Sequence, residues 1–218
     1  MKIIFDLDGT LIDTSKRHWT VYENALKNFG VPALSQGEYW KLKRNNTNWS
    51  SILERSGLGE NVHDFLKLFI QEIELVERLR MDVVFKDTER VLGALREHQL
   101  YLVSLRRNDD NLRSQLDWMG LSDYFEQIHS GHTEKGGHHK KYEIIRDIIG
   151  NEKAVVVGDT EADVLAAIHL NLKSIAVYSG IRNKTFLNKL SPTLIRPSIE
   201  NLDKVINCLD DAHYSCPS

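Results

Sequence analysis

Asp6-Leu7-Asp8-Gly9-Thr10-Leu11 follows directly on an apolar run, Ile3-Ile4-Phe5. A strand buried on both faces of a parallel sheet reads as a continuous apolar run. The stretch therefore predicts a buried strand that ends in two carboxylates. Residues two apart on an extended chain point to the same side, so Asp6 and Asp8 face one site wherever the extended geometry persists. Gly9 permits a sharp turn immediately afterwards. In open α/β sheets, ligands bind outside the carboxyl ends of the strands. Asp-Gly alone is an ordinary turn signal, so the acidic pair takes its meaning from the rest of the chain.

Four further apolar runs predict buried strands: Leu100–Val103, a weaker one at Phe125–Ile128, Ala154–Val157 and Ser174–Val177. Helical patterns separate them. Val91, Leu92 and Leu95 share a face, as do Leu112, Leu116 and Met119, and Ile144, Ile145, Ile148 and Ile149. Strands alternating with helices imply parallel strands joined by crossover helices. The expected fold class is α/β, a doubly wound parallel sheet. Residues 15–84 break the rhythm. They carry one apolar stripe of Trp19, Tyr22, Ala25, Leu26 and Phe29, and another of Phe65, Leu68, Phe69, Ile73 and Val76. Gly30-Val31-Pro32 marks the end of the first helix. This region predicts an insertion of three or four helices. The expected division is a core of residues 1–14 and 85–218 and a helical cap of residues 15–84.

The chain has 218 residues, 41% hydrophobic and 27% charged, with a net charge of -3. That balance suits a soluble globular protein and leaves no basic footprint for nucleic acid. No apolar run approaches the ~20 residues that span a bilayer. The opening residues are too few and too soon acidic for a signal peptide. Cys208 and Cys216 lie near the C-terminus without metal-ligand spacing, and one pairing is not a disulfide framework. A reduced, cytoplasmic protein is the simplest expectation. Nothing in the sequence fixes the oligomeric state.

Three more pieces follow the acidic pair. Ser104 ends the strand Tyr101-Leu102-Val103, where a hydroxyl is able to donate to a phosphoryl oxygen. Lys141 opens the helix of Tyr142 to Ile149, after the polar loop Gly136-Gly137-His138-His139-Lys140. Gly158-Asp159-Thr160-Glu161-Ala162-Asp163 follows Ala154–Val157, with Asp163 in the first turn of the next helix. Each has an ordinary reading: a structural Ser, a solvated Lys, and acids that serve a helix N-terminus.

In this order, the first motif, the hydroxyl, the Lys and Gly-Asp-x-x-x-Asp resemble the haloacid dehalogenase superfamily of phosphatases and phosphomutases. Ninety-eight positions separate Asp6 from Ser104, and fifty-five separate Ser104 from Asp159. The extra domain therefore lies between the first and second motifs. Members with this spacing carry a helical cap over the active site, in the phosphoglycolate phosphatase-like and β-phosphoglucomutase-like group.

The resemblance implies a phosphatase that acts on a small phosphorylated metabolite through an aspartyl-phosphate intermediate. Asp6 would be the nucleophile, and Asp8 would protonate the leaving alcohol and then activate water. Ser104 and Lys141 would hold the transferring phosphoryl oxygens. Mg2+ would be held by Asp6, Asp159 and the Asp8 backbone carbonyl, with Asp163 as ligand or neighbour. The need for counter-charge is physical. At 4 Å each unit-charge repulsion is worth about 4 kcal/mol at an effective dielectric of 20. An acid at Asp8 argues for phosphate esters, since the superfamily's dehalogenases and phosphonatases lack it.

Some positions depart from the family pattern. Lys141 precedes Tyr142 where Pro is frequent, which leaves Lys140 as a rival. Leu105-Arg106-Arg107-Asn108 follows the hydroxyl where Asn or Gly is common. Arg106 is a candidate contact for a substrate anion, as are Gly9 and Thr10 in the first loop. His18, twelve positions after Asp6, stands where β-phosphoglucomutase-like members place a His that takes part in closure. It keeps a phosphomutase as the alternative, although Gly158-Asp159 looks more like the phosphatases. Lys41, Lys43 and Arg44 form a basic cluster in the cap, and Arg44 is a further candidate for substrate. His129, His132, His138 and His139 fit no standard zinc spacing. A phosphate-accepting receiver domain would put its acceptor Asp on a strand apart from the acidic pair and needs no insertion of ~70 residues. A catalytically silent binding protein would not need Asp6, Asp8, Lys141 and Asp159 together.

Overall fold

The computed structural model describes residues 1–131 and 137–210. In chain order the elements are β1 (Lys2–Phe5), β2 (Ile12–Asp13), α1 (Ser15–Lys27), α2 (Gln36–Arg44), α3 (Trp49–Arg55), α4 (Val62–Glu72), α5 (Val76–Leu79) and β3 (Val83–Val84). There follow α6 (Thr88–Ala94), β4 (Gln99–Ser104), α7 (Asp109–Trp118), β5 (Gln127–Ser130), α8 (Gly137–Ile149), β6 (Ala154–Gly158) and α9 (Glu161–His169). The chain closes with β7 (Lys173–Val177), α10 (Lys184–Asn188), β8 (Leu194–Arg196) and α11 (Leu202–Asp210).

Six strands form one parallel sheet in the order β5-β4-β1-β6-β7-β8. Strand order reverses between β1 and β6, the place where doubly wound sheets open a ligand crevice. Alternation along β1 divides its side chains between two cores. Ile3 and Phe5 pack with Leu100, Leu102, Val155 and Val157 against Val91, Leu112 and Val205 of α6, α7 and α11. Ile4 packs on the other face with Tyr101, Val103 and Val156 against Ile145 of α8 and Ala166 of α9. The continuous apolar runs thus reflect helices on both faces, as parallel sheets require.

The helices α1 to α5 leave and return through a two-stranded ribbon, Ile12 opposite Val84 and Asp13 opposite Val83. They bury their own cluster, with Tyr22, Leu26, Tyr39, Ile52 and Phe65 at its centre. Gly30, at φ 67, ends α1, and the Gly30 and Val31 N–H groups donate to the carbonyls of Lys27 and Leu26. The positive φ closes the helix in the usual way.

Three expectations need correction. Five helices occupy the insertion rather than three or four, the last a single turn. Val76 is 41% exposed, because α4 stops at Glu72 and the apolar stripe does not run on into α5. The third core strand begins at Gln127, not Phe125, since Ser122–Tyr124 is a 3-10 turn and pairing starts with Tyr101 opposite Gln127. The short strand β8 is not among the predicted strands: its apolar part is only the pair Leu194-Ile195, too short to read as a strand. Cys216 and His132 lie outside the described residues, as does the side chain of His138. Among the described residues no helix is long and apolar enough to cross a membrane.

Candidate active site

Three strand ends meet where the strand order reverses. Asp6 follows β1, with its N–H donating to the Val157 carbonyl at 2.9 Å. Ser104 closes β4 and Asp159 follows β6, both buried. After Asp6 the chain curls tightly. The Leu7 carbonyl accepts from the N–H groups of Thr10, Leu11 and Ile12, and the Gly9 N–H donates to the Ile12 carbonyl. Gly9 sits at φ +81, and a Cβ there would approach Gly180 Cα to 2.8 Å. Only glycine meets both conditions.

Lys141 is buried on α8 and points inward. Its Nζ donates to Asp6 Oδ1 at 2.5 Å and also to Asp163 Oδ1. Lys140 stays partly exposed and pairs with Glu143, so Lys141 is the lysine in contact with the acids. Asp163 is bound twice over. Its Oδ2 accepts from the Thr160 N–H at 3.1 Å and the Thr160 hydroxyl at 2.7 Å, which caps α9. The helix-capping role and the contact with Lys141 coexist in one carboxylate.

A cavity of about 330 Å3 opens beside this cluster. Asp6, Asp8, Ser104 and Lys141 form part of its lining, and so do Arg17, His18 and Arg106. Phe69, Ile70 and Ile73, from the end of α4 and the turn after it, supply an apolar side. His18 is partly buried at the cavity wall, and burial, then the nearby Arg17 charge, push its imidazole well below the usual range. Its Nδ1 has no partner among the described residues.

The two acids of the first motif differ electrostatically. Burial pushes the Asp6 carboxyl up to about 7, against the pull of Lys141. Burial works in the same direction at Asp8, but Arg106 and Arg17 overcome it and hold that carboxyl well below the usual range. Arg106 grips Asp8 with two bonds, Nε to Oδ2 at 2.6 Å and Nη2 to Oδ1 at 2.7 Å. Asp159 is held well above the usual range, first by burial and then by the charges of Asp6 and Asp163.

The donor set fits a hard divalent cation. Carboxylate oxygens of Asp6, Asp159 and Asp163 lie within 4.8 Å of one another. Asp159 Oδ2 accepts from the Ile181 N–H at 2.6 Å, whereas its Oδ1 is buried with no partner among the described residues. An unpaired buried oxygen amid three acids costs free energy, and an oxygen-seeking cation would satisfy it.

Residues 3–177 match the family model for haloacid dehalogenase-like hydrolases. The chain belongs to this family. It is an enzyme, a haloacid dehalogenase-like phosphatase. It is 30% identical to phosphoglycolate phosphatase from Aquifex aeolicus, over 90% of this chain and 92% of that protein. It is 25% identical to tyrosine-protein kinase PtkA from Mycobacterium tuberculosis, over 88% of this chain and 67% of that protein. A haloacid dehalogenase-like hydrolase from Streptococcus pneumoniae superposes with a TM-score of 0.76. The two chains are 18% identical and are covered to 94% and 97%, so that likeness speaks for the fold.

Against this family background, the sequence-predicted residues fall into two groups. Asp6, Asp8, Ser104, Lys141, His18 and Arg106 come together on the cavity, with Asp159 and Asp163 packed behind Asp6. Arg44 does not line the cavity. Its guanidinium donates to the carbonyls of Tyr178, Ser179 and Gly180, because the C-terminus of α2 rests on the loop after β7. Gly9 and Thr10 are likewise off the lining: Gly9 packs on Gly180, and Thr10 is wholly buried. Lys41 is exposed and Lys43 lies over Trp49, so the basic cluster does not face the cavity as a unit. Sequence reasoning missed Arg17, Asp82 and Gln115, which surround Asp8. Arg17 on α1 and Gln115 on α7 read as solvated polar positions of amphipathic helices and Asp82 as a turn acid, whereas all three are buried against one another.

Proposed function

We propose that the enzyme hydrolyses a small phosphorylated metabolite through a covalent phosphate on Asp6. The observation that carries the reading is Asp6 and Asp8 side by side on one small cavity, at the strand-order reversal, with Lys141 against Asp6. The Asp6 carboxylate oxygen attacks phosphorus, and the bond from phosphorus to the leaving oxygen breaks. A proton that enters with the substrate's phosphate passes through Asp8 to the leaving oxygen. In the second step Asp8 takes a proton from water, whose oxygen attacks phosphorus. The bond to Asp6 breaks, and inorganic phosphate leaves. Arg106 and Arg17 keep Asp8 ionised, the form that this second role requires. Such proton transfer is typically worth ~10²–10⁴ in rate.

Ser104 and Lys141 donate to the phosphoryl oxygens in this scheme, which is mostly positioning and electrostatic stabilisation. Magnesium, held by Asp6, Asp159 and the Asp8 backbone carbonyl with Asp163 beside them, would offset the repulsion between an entering phosphate and these acids. His18 and Arg106 face the part of the substrate that is not transferred. The size of the cavity favours a metabolite over a macromolecule.

The test is a screen of phosphorylated metabolites with and without magnesium, reading both free phosphate and isomerised product. Phosphate release that stops in Asp6→Asn supports the reading. Isomer formation without phosphate release would make the enzyme a phosphomutase instead.

A further inference from the structure

Asp8 belongs to a closed ring of polar side chains, the other four of them buried. Asp8 Oδ1 accepts from Arg17 Nη2 at 2.5 Å. Arg17 Nε donates to Asp82 Oδ1 at 3.0 Å. Asp82 Oδ2 accepts from Gln115 Nε2 at 2.8 Å, and Gln115 Oε1 accepts from Arg106 Nη2 at 3.1 Å. Arg106 returns to both oxygens of Asp8. Arg17, Asp82, Arg106 and Gln115 are each at most 6% exposed.

The ring joins five separate segments: the loop after β1, helix α1, the turn before β3, the loop after β4 and helix α7. Its two carboxylates balance its two guanidiniums. Stability alone explains it poorly, because replacing a buried ion cluster with packed apolar groups is often neutral or stabilising. Its geometry explains it better. A forked guanidinium fixes the plane of the carboxylate it grips, and Asp82 and Gln115 fix the two forks.

We propose that Asp82 and Gln115 are positioning residues for proton transfer, acting through Arg17 and Arg106 to set the orientation of the Asp8 carboxylate at the substrate. Asp82 touches Arg17 and Gln115, and Gln115 also donates to the Leu79 carbonyl. Neither lines the cavity among the described residues. The inference rests on the proton-transfer role proposed for Asp8. A displacement of about 1 Å in such a group costs on the order of 100-fold in rate.

The experiment measures the single-turnover rate of leaving-group release, which precedes the attack of water, on two substrates, 4-nitrophenyl phosphate and an unactivated alkyl phosphate that the enzyme turns over. The nitrophenolate leaves without needing a proton, whereas the alkoxide needs one. Asp82→Asn and Gln115→Met are expected to lower that rate on the alkyl phosphate by about tenfold to 100-fold. On the nitrophenyl ester the same rate should fall by less than about threefold, with KM little changed on either substrate. Asp8→Asn is the reference and should show the same split more strongly. If Asp8→Asn keeps alkyl turnover, the role of Asp8 itself fails. If Asp8→Asn splits the substrates but both ring variants slow them equally, or not at all, the positioning role alone is overturned. Unfolding of both ring variants by circular dichroism would also overturn it, since the ring would then be an element of the fold.

Discussion

Lys141 Nζ stands 2.5 Å from Asp6 Oδ1 and donates at the same time to Asp163. One buried cation thus joins the end of β1 to the first turn of α9. Burial would lower its pKa, but Asp163 and Asp6 hold it above the usual lysine range. Lys141→Met removes the charge and leaves two buried carboxylates facing each other. Breaking a buried pair from one side costs about 3–5 kcal/mol. The variant should lose that much in urea denaturation and release no phosphate. Full turnover in Lys141→Met would rule out its contact with the phosphoryl group.

Asp159 leads to an expectation that changes sign with the cation. Its ionised form is unfavourable in the folded protein, through burial and then the charges of Asp6 and Asp163. Asp159→Asn should therefore raise the melting temperature when magnesium is absent. Magnesium should stabilise the native enzyme by about 2.7 kcal/mol at 100 times its dissociation constant. The variant should respond far less. A melt that magnesium shifts equally in both proteins would remove Asp159 from the cation site.

Gly180 is held by space alone. A Cβ there would meet the Asp159 carboxylate and come within 2.7 Å of Gly9 Cα. Backbone does not yield as a flexible side chain does, so Gly180→Ala should destabilise by about 1–3 kcal/mol. It should also blunt the magnesium-induced rise in melting temperature by displacing Asp159. An alanine variant with native melting and magnesium response would show that the loop after β7 has slack.

The parts of the site carried by strand ends were legible in the sequence. Asp6, Ser104 and Asp159 each terminate an apolar run, and a parallel sheet puts such ends on one edge. Lys141 was legible only as half of an ambiguity with Lys140. Helical phase decides between them, because Lys141 turns into the core and Lys140 turns out toward Glu143. Arg17, Asp82 and Gln115 were not legible, since their partners lie 9 to 65 residues away. Arg44 illustrates the opposite failure. Basic residues at a helix end suggest an anion, but here carbonyls of the loop after β7 satisfy the guanidinium.

Lys43 provides a test of the cap's seat on the core through pH. Its Nζ lies 4.2 Å from the centroid of the Trp49 ring, and its carbonyl accepts from Arg182 Nη1 at 3.1 Å. Arg182 is itself paired with Glu161 on α9, at 2.7 and 2.8 Å. Burial first, and then the Arg182 charge, push the Lys43 ammonium down from 10.5 to about 8, while Glu161 pulls the other way. The folded protein thus releases this proton before the unfolded chain does. Between about pH 8 and 10.5 the unfolded state binds more protons, and stability from this group rises with pH through that window. Lys43→Met removes the titration and keeps an apolar stem on Trp49. The variant should be more stable than the native protein at about pH 7, and the gap should close as pH rises toward 10.5. Urea midpoints measured across that range check it. A gap that stays constant with pH would mean that Lys43 meets more water than its seat between Trp49 and Arg182 implies.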